Sequence, residues 1–397
     1  MSTWLVRWQD YILILFCLLG ISTLNANGQS RLLSKIPFLQ VMGGVIIIQA
    51  QLSPFPDTLQ FIFDTGSSGI SLDSATVQYL GLEPTSTGQL IRGVGGIRAV
   101  PSLQNKSLKI GQLEVDSLDF YVNDYTVLTS NYGVRIDGVI GYAIMSRFII
   151  QVDYDKQEIN LYLPGEFTYP RKGKVLRPQI NKLPAHPTLV KDVKLDSTNM
   201  MIDIGAGLNL LFSTHYARGL GVMDTTRKSW TTSGEGIGGQ ITLRLTLLPM
   251  FQIGPYRFKK IPITIFEDPY NVTNFPFWSG LIGNDLLRRF NLVINYPKNE
   301  IHIRPNRNYF EAFDYSYTGM ELYLINNQVE VGFVAPDSPA ALAGIEVGDQ
   351  IIGINKVVAG SLDVYKAELS HANKRITLIY KRANKIETAV LRAIRIK

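Results

Sequence analysis

Residues Phe61 to Leu72 read FIFDTGSSGISL, and Met200 to Phe212 read MMIDIGAGLNLLF. Each stretch ends an apolar run on an aspartate, makes a small glycine-bearing turn and resumes an apolar run. One such turn would say little; the landmarks downstream of each copy decide the reading. Both continue to a glycine-rich tip, Gly93-Val94-Gly95-Gly96 and Gly236-Ile237-Gly238-Gly239. Both then have an Ile-Gly corner, Ile110-Gly111 and Ile253-Gly254. Both close on an apolar-Ile-Gly block, GVIGYAIMSRFIIQVDYDKQEINLY from Gly138 and GLIGNDLLRRFNLVINYPKNEIHI from Gly280. Asp64 to Gly141 is 77 residues and Asp203 to Gly283 is 80. Ordered landmarks at matched spacing mark an internal duplication of a lobe of about 140 residues.

Most of residues 36 to 305 read as short strands, among them Gly44 to Leu52, Leu108 to Val122 and Gln240 to Ile253, broken by Gly, Pro and Asn turns. Helices are few: Asp73 to Leu80, Ala143 to Phe148, Ser213 to Gly219 and Asn284 to Phe290. Pro164 to Pro187, rich in Pro, Lys and Arg, reads as a crossing between lobes, and the repeat pattern ends at Asn306 to Thr318. The expected architecture is mainly β: a leader over 1–28, lobe 1 over 29–170, lobe 2 over 171–310 and a further domain over 311–397.

The leader carries Arg7, an apolar run from Tyr11 to Leu24, and small residues before Gln29. It reads as an export signal, with an uncleaved anchor as the alternative, because the run is short for a spanning helix. The only cysteine, Cys17, lies in that run behind Phe16, so neither lipid attachment there nor disulfides in the exported chain are expected. The formal charge is +6, yet Asn373 to Lys397 alone holds eight Lys or Arg against one Glu. That basic end reads as a solvated face on terminal strands, and nothing in the chain matches a nucleic-acid-binding motif. His186, His215, His302 and His371 have neither metal-ligand spacing nor a serine partner, so no metal and no cofactor is implied. Asp137 and Asp285, near the repeat glycines, read as turn or helix caps.

Amide hydrolysis without a metal or a covalent nucleophile needs a positioned water, a base and an acid. Two carboxylates sharing one proton supply both, because like charges held close cannot both ionise. The duplication offers such a pair, one aspartate per lobe. At these residues the chain resembles the two-lobed aspartic peptidases of pepsin-like and retropepsin-like type, over about 270 residues. The resemblance implies that Asp64 and Asp203 are catalytic, supported by Thr65, Gly66 and Ser67 and by Ile204, Gly205 and Ala206. It implies flap-like hairpins at Gly93, Gly95 and Gly96 and at Gly236, Gly238 and Gly239. Val139-Ile140-Gly141 and Leu281-Ile282-Gly283 would brace the two loops. The family has a hydroxyl after each Asp; here the second copy has Ile204, and Ala206 stands where the first copy has Ser67. Only Asp64 is then expected to have a nearby hydroxyl, and the two acids should be inequivalent. A peptide-binding protein of the same fold, impaired through Ile204, is the alternative.

From Tyr317 the chain reads YTGMELYLINNQVEVGFVAPDSPAALAGIEVGDQIIGINKVVAG, followed by a helix from Leu362 to Ala372 and strands. Asp337 to Ile345 and Gly348 to Asn355 resemble a PDZ domain of the kind appended to bacterial periplasmic proteases. That resemblance implies a peptide C-terminus or extended strand lying between Thr318, Gly319, Met320 and Leu322 on one side and the helix with Tyr365 on the other. The expected whole is an exported bacterial aspartic endopeptidase, periplasmic or extracellular. It would act on polypeptides, with an active site complete in a monomer.

Overall fold

The computed structural model describes residues 28–224, 227–273, 278–313 and 316–396. All of the leader but Gly28 lies outside them. Two β lobes repeat one topology. In the first, the strands run in the order Ile46–Ser53, Leu59–Phe63, Gly138–Ile140, Ile70–Asp73, Leu113–Asn123, Gly96–Ile110 and Thr85–Gly93. In the second they run Leu183–Lys191, Leu195–Ile202, Trp278–Ile282, Leu210–Ser213, Tyr256–Phe266, Gly239–Ile253 and Trp230–Gly236. Each sheet also pairs its first strand with its long sixth one, Ile46–Ser53 with Gly96–Ile110 and Leu183–Lys191 with Gly239–Ile253.

The apolar-Ile-Gly blocks explain this order. Gly138–Ile140 inserts between the two strands flanking the first Asp turn, parallel to Leu59–Phe63 and antiparallel to Ile70–Asp73. Trp278–Ile282 does the same in lobe 2. A strand paired on both edges and covered on both faces must be apolar throughout, which is why both blocks lack alternation.

Between the lobes lies a shared platform, ordered Lys174–Leu176, Glu300–Pro305, Phe290–Asn295, Ile149–Asp153, Glu158–Tyr162 and Leu32–Gln40. Its centre pairs the strand after the first Ile-Gly block with the strand after the second, Leu292 opposite Val152 and Ile294 opposite Ile150. Residues from both copies therefore form one continuous core, including Ile150, Val152, Leu292, Ile294, Ile140 and Ile282. Asn284 fastens the halves from within: its Nδ2 donates to Gly44 O, and its Oδ1 accepts from Tyr154 OH at 2.6 Å.

Several expected elements shift. The Pro164 to Pro187 stretch is no simple crossing, since it holds the strands Lys174–Leu176 and Gln179–Asn181 and the start of Leu183–Lys191. These pair at sheet edges, where exposed Lys174, Arg177 and Lys182 are compatible with strand structure. The helices after the Ile-Gly blocks are single turns, Tyr142–Met145 and Asn284–Leu287, because the platform strands begin at once. The helix from Leu362 stops at Leu369. Asp137 caps no helix: its Oδ2 accepts from Gln60 N and its Oδ1 from Thr76 Oγ1, with Arg135 paired at 2.7 Å. Asp285 lies inside its helix, paired with Arg288 at 3.0 Å, and Gly283 holds the cap position. Unanticipated is the helix Thr126–Tyr132, whose short apolar side is Leu128 and Tyr132 with Tyr125 ahead of them, all packed on one cluster; Asp124 accepts from Thr126 N at its start.

The C-terminal unit is a small sheet ordered Met320–Ile325, Gln328–Val334, Gln350–Ile354, Arg375–Arg382 and Lys385–Arg392. With the helix Leu362–Leu369 it encloses a separate core of Leu322, Val331, Ile354, Ile376 and Leu378. The basic end is a terminal hairpin whose Arg375, Lys385 and Arg392 face solvent. This unit docks on lobe 2 through an apolar cluster in which Trp230 and Leu245 meet Tyr317, Ala335 and Ile396.

Replacing Asn284 by Ala strands the Tyr154 hydroxyl and the Gly44 carbonyl in the core. We expect a loss of about 3 kcal/mol of unfolding free energy, read from a denaturant midpoint at unchanged slope.

Candidate active site

Both acids stand where an Asp strand ends and the inserted strand begins. Asp64 N donates to Ile140 O at 2.9 Å, and Asp203 N donates to Ile282 O at 3.0 Å. The loops then turn toward each other across the lobe axis and bring the two carboxyls together. Gly66 N donates to Asp64 Oδ1 at 2.6 Å; Gly205 N and Ala206 N donate to Asp203 Oδ1 at 2.9 and 3.0 Å. The packing is reciprocal: a Cβ on Gly66 would overlap the Asp203 carboxylate, and a Cβ on Gly205 would overlap that of Asp64. Glycine is required at both places because each loop's backbone lies against the other lobe's acid.

The cross-lobe support is one-sided. Thr65 Oγ1 donates to Ile202 O at 2.7 Å and accepts from Ile204 N at 3.0 Å. Ile204 cannot return these bonds; it is fully buried and packs in the main core beside Ile202 and Ile282. Lobe 2 has thus exchanged a polar clasp for apolar contact, while the Thr65 hydroxyl bonds the backbone at Ile202 and Ile204 and Gly205 N reaches Asp64 from the other side. The Ser67 hydroxyl is not among the partners of Asp64, which are Asp203, Gly66 N and Gly205 N. Ser67 instead gives its carbonyl to Tyr142 N, and Ala206 gives its own to Asn284 N.

The acids are nonetheless inequivalent. Burial raises Asp64 above the ordinary carboxylate range, opposed by the hydrogen bond from Asp203 and by the Gly66 and Gly205 amides. Burial raises Asp203 much further, and the neighbouring Asp64 charge and the proton Asp203 donates to it add to the rise. The pair therefore shares one proton and titrates as a unit in two separated steps.

Two tyrosines that no sequence signal singles out stand near the pair. Burial, and then the charges of Asp64 and Asp203, raise Tyr132 on the unanticipated helix. Tyr296 rises by burial and the same two charges, and its ring meets Tyr142 edge-on at 5.4 Å. No motif marks either residue as part of a site; only the fold brings them here.

The glycine tips meet one another. Gly95 N donates to Ile237 O at 3.0 Å, and Arg98 donates to Gly238 O at 3.0 Å. Gly93 lies against Ile237, Gly236 against Val94, and Gly96 near Gly238. Val94 packs on the lobe 2 cluster that includes Ala206 and Ile241. Beside the tips, a cavity of about 480 Å³ runs from Gly207 and Leu208, just past the Asp203 loop, to Thr318, Gly319, Met320 and Leu322. Tyr365 is not part of that lining: it sits in the C-terminal core, donating to Ile352 O at 2.5 Å and accepting from Gly360 N.

Residues 56–144 match the aspartyl protease family, and residues 330–382 match the PDZ domain family. The chain thus carries an aspartyl protease domain of retropepsin-like kind and a C-terminal PDZ domain. The first match holds Asp64 and its Ile-Gly block; the second lobe repeats the strand order of the first. No curated protein matches the chain. These families point to a peptide hydrolase with a peptide-binding module.

Thr65→Val removes both cross-lobe bonds, and we expect a loss of about 1–3 kcal/mol in denaturant unfolding. The raised carboxyls give a signed pH effect. The native pair holds more protons than the unfolded chain as pH rises from the ordinary Asp value toward the raised one, so stability falls across that interval. Asp203→Asn should therefore melt higher than the wild type at pH 7, with the advantage gone at pH 3.

Proposed function

We propose that the chain is an aspartic endopeptidase whose catalytic residues are Asp64 and Asp203, and that its PDZ domain binds or positions polypeptide substrates. The observation that carries this reading is the pair itself: two carboxyls from symmetric loops, each held by its own loop amides and packed against the glycine of the opposite loop.

The chemistry follows from that pair. A water lying between the carboxyls gives a proton to ionised Asp64 as its oxygen attacks the scissile carbonyl carbon. Asp203 passes its proton to the carbonyl oxygen, giving a neutral tetrahedral diol. As the C–N bond breaks, Asp64 protonates the departing amine, and Asp203 recovers a proton from a diol hydroxyl. Every proton is returned, and the carboxyls and water suffice. The glycine hairpins close over an extended chain and exclude solvent, and strand edges on either side can pair with its backbone. The site takes one residue from each lobe of a single chain, so one copy is enough.

Ile204 favours the working enzyme over the impaired binder of the same fold. Its lost hydroxyl leaves Thr65 bonded to the backbone at Ile202 and Ile204 and both acids held by their loop amides. The leader's charge and apolar run support export, which places the substrates outside the cytoplasm.

The decisive assay is cleavage of unfolded casein from pH 3 to 8 by the mature chain and by Asp64→Asn. We expect a bell-shaped dependence, rising as Asp64 ionises above the ordinary Asp range and falling as Asp203 loses its proton, and no cleavage by the variant. A well-folded wild-type chain that cleaves nothing at any pH would reject the reading. Gly205→Ala should fold yet lose about 10²-fold or more in rate, because it displaces Asp64.

A further inference from the structure

We propose that the PDZ groove is occupied in cis and acts as a latch: it holds a helix beside the active site and the second flap in place, and an extended peptide entering the groove releases both. The proposal rests on the peptidase reading and assigns its regulation.

The groove is the space between the strand Met320–Ile325 and the helix Leu362–Leu369. The strand pairs with Gln328–Val334 on one edge only, and the other edge is where an added peptide strand would lie. In this chain the helix Thr126–Tyr132 of lobe 1 packs against that strand. Lys366 Nζ donates to Asn131 O at 2.5 Å and to Asn131 Oδ1 at 2.9 Å. Gly133 lies so near Leu362 that an added Cβ would come within 3.1 Å of its Cδ2. The end of the groove near Leu362 and Lys366 is thus filled by the lobe 1 segment Asn131–Gly133.

The same strand also holds the second flap. Glu321 Oε1 accepts from Thr232 Oγ1 at 2.7 Å, and Tyr323 OH donates to Glu235 Oε1 at 2.9 Å. Just before the strand, Tyr317 OH donates to Thr231 O at 2.8 Å. These three bonds fall on the arm leading to the tip at Ile237, which is locked to the first flap through Gly95. An internal bond of a polypeptide cannot reach the cleft by threading, so the tips must part to admit it. Every bond from the PDZ domain to Thr231, Thr232 and Glu235 opposes that parting.

The lobe 1 segment reaches the active site as well. Tyr132, beside Asn131, lines the same cavity as Gly207 and Leu208, just past the Asp203 loop. Displacing Asn131 from Lys366 therefore moves a wall of the space that leads to that loop. The cavity of about 480 Å³ is lined by Thr318 to Tyr323 and also by Lys366 and Asn131, so open space runs along the strand up to the Asn131 contact and leaves a place for a peptide end to bind before the latch is broken. Pairing along the strand from there displaces Asn131 and draws Glu321 and Tyr323 from the flap.

Two variants of the full chain separate the parts. Asn131→Lys sets a like charge against Lys366 and leaves the PDZ groove itself unchanged; Tyr323→Phe removes a flap anchor with little change of shape. In the Asp64→Asn background, short fluorescein-labelled peptides with apolar residues and a free C-terminus should bind several-fold more tightly once Asn131→Lys is added. Equal affinities, or binding to neither chain, would overturn the cis occupation. Hydrogen exchange at the 231–237 amides should quicken in Tyr323→Phe, and its rate on casein should rise several-fold over wild type; unchanged exchange or a slower rate would overturn the latch. Faster exchange and tighter peptide binding in chains that cleave nothing would leave the latch standing and reject the peptidase reading instead.

Discussion

The packing of each acid loop against the opposite lobe's carboxylate is the constraint around which the molecule is organised. Two neighbouring carboxyls, Asp203 buried and Asp64 half-buried, repel when both are charged, so the arrangement survives only if the surroundings hold them together and keep one protonated. Each part of the fold meets one side of that demand. The inserted strands fix both aspartate amides, the loop amides neutralise the ionised acid, and the glycines let each loop approach the opposite carboxyl. The platform supplies the force, since its central strands come one from each copy and bury Ile150, Val152, Leu292 and Ile294 in a single core.

The two copies have diverged most where symmetry was not needed. Thr65 makes the hydroxyl bonds of the clasp, and position 204 is a core isoleucine. Asn284 occupies the first helical position in lobe 2, where lobe 1 has Tyr142. That exchange lets lobe 2 reach Gly44 and Tyr154 of the other half, while Tyr142 packs on Tyr296.

The PDZ domain adds a third wall to this two-lobed plan. It is joined to lobe 2 by apolar packing around Trp230 and Tyr317, and to the second flap and the Thr126–Tyr132 helix by polar bonds. The division is physically apt, because apolar burial is not readily exchanged for another partner, whereas hydrogen bonds along a strand edge are equally available to an entering peptide backbone. A firm attachment and an exchangeable contact thus sit side by side on one small domain.

The sequence alone determined the duplication, the mainly β character, the acid in each copy, the glycine tips and the PDZ module. Each of these is written locally, as a turn, an apolar run or a spacing. It also showed that Ile204 breaks the repeat. Tertiary structure alone decided what those residues touch. It paired Thr65 with the backbone on both sides of Asp203, left the Ser67 hydroxyl out of the partners of Asp64 and sent Tyr365 into the core instead of the groove. It made strands of the Pro164 to Pro187 stretch by offering sheet edges. It brought Tyr132 and Asn131 to the cavity between the Asp203 loop and the groove, although no local signature places them there. Such contacts join residues far apart in the chain, between Asn131 and Lys366 or Asp64 and Asp203, and their geometry exists only once both lobes and the third domain have packed.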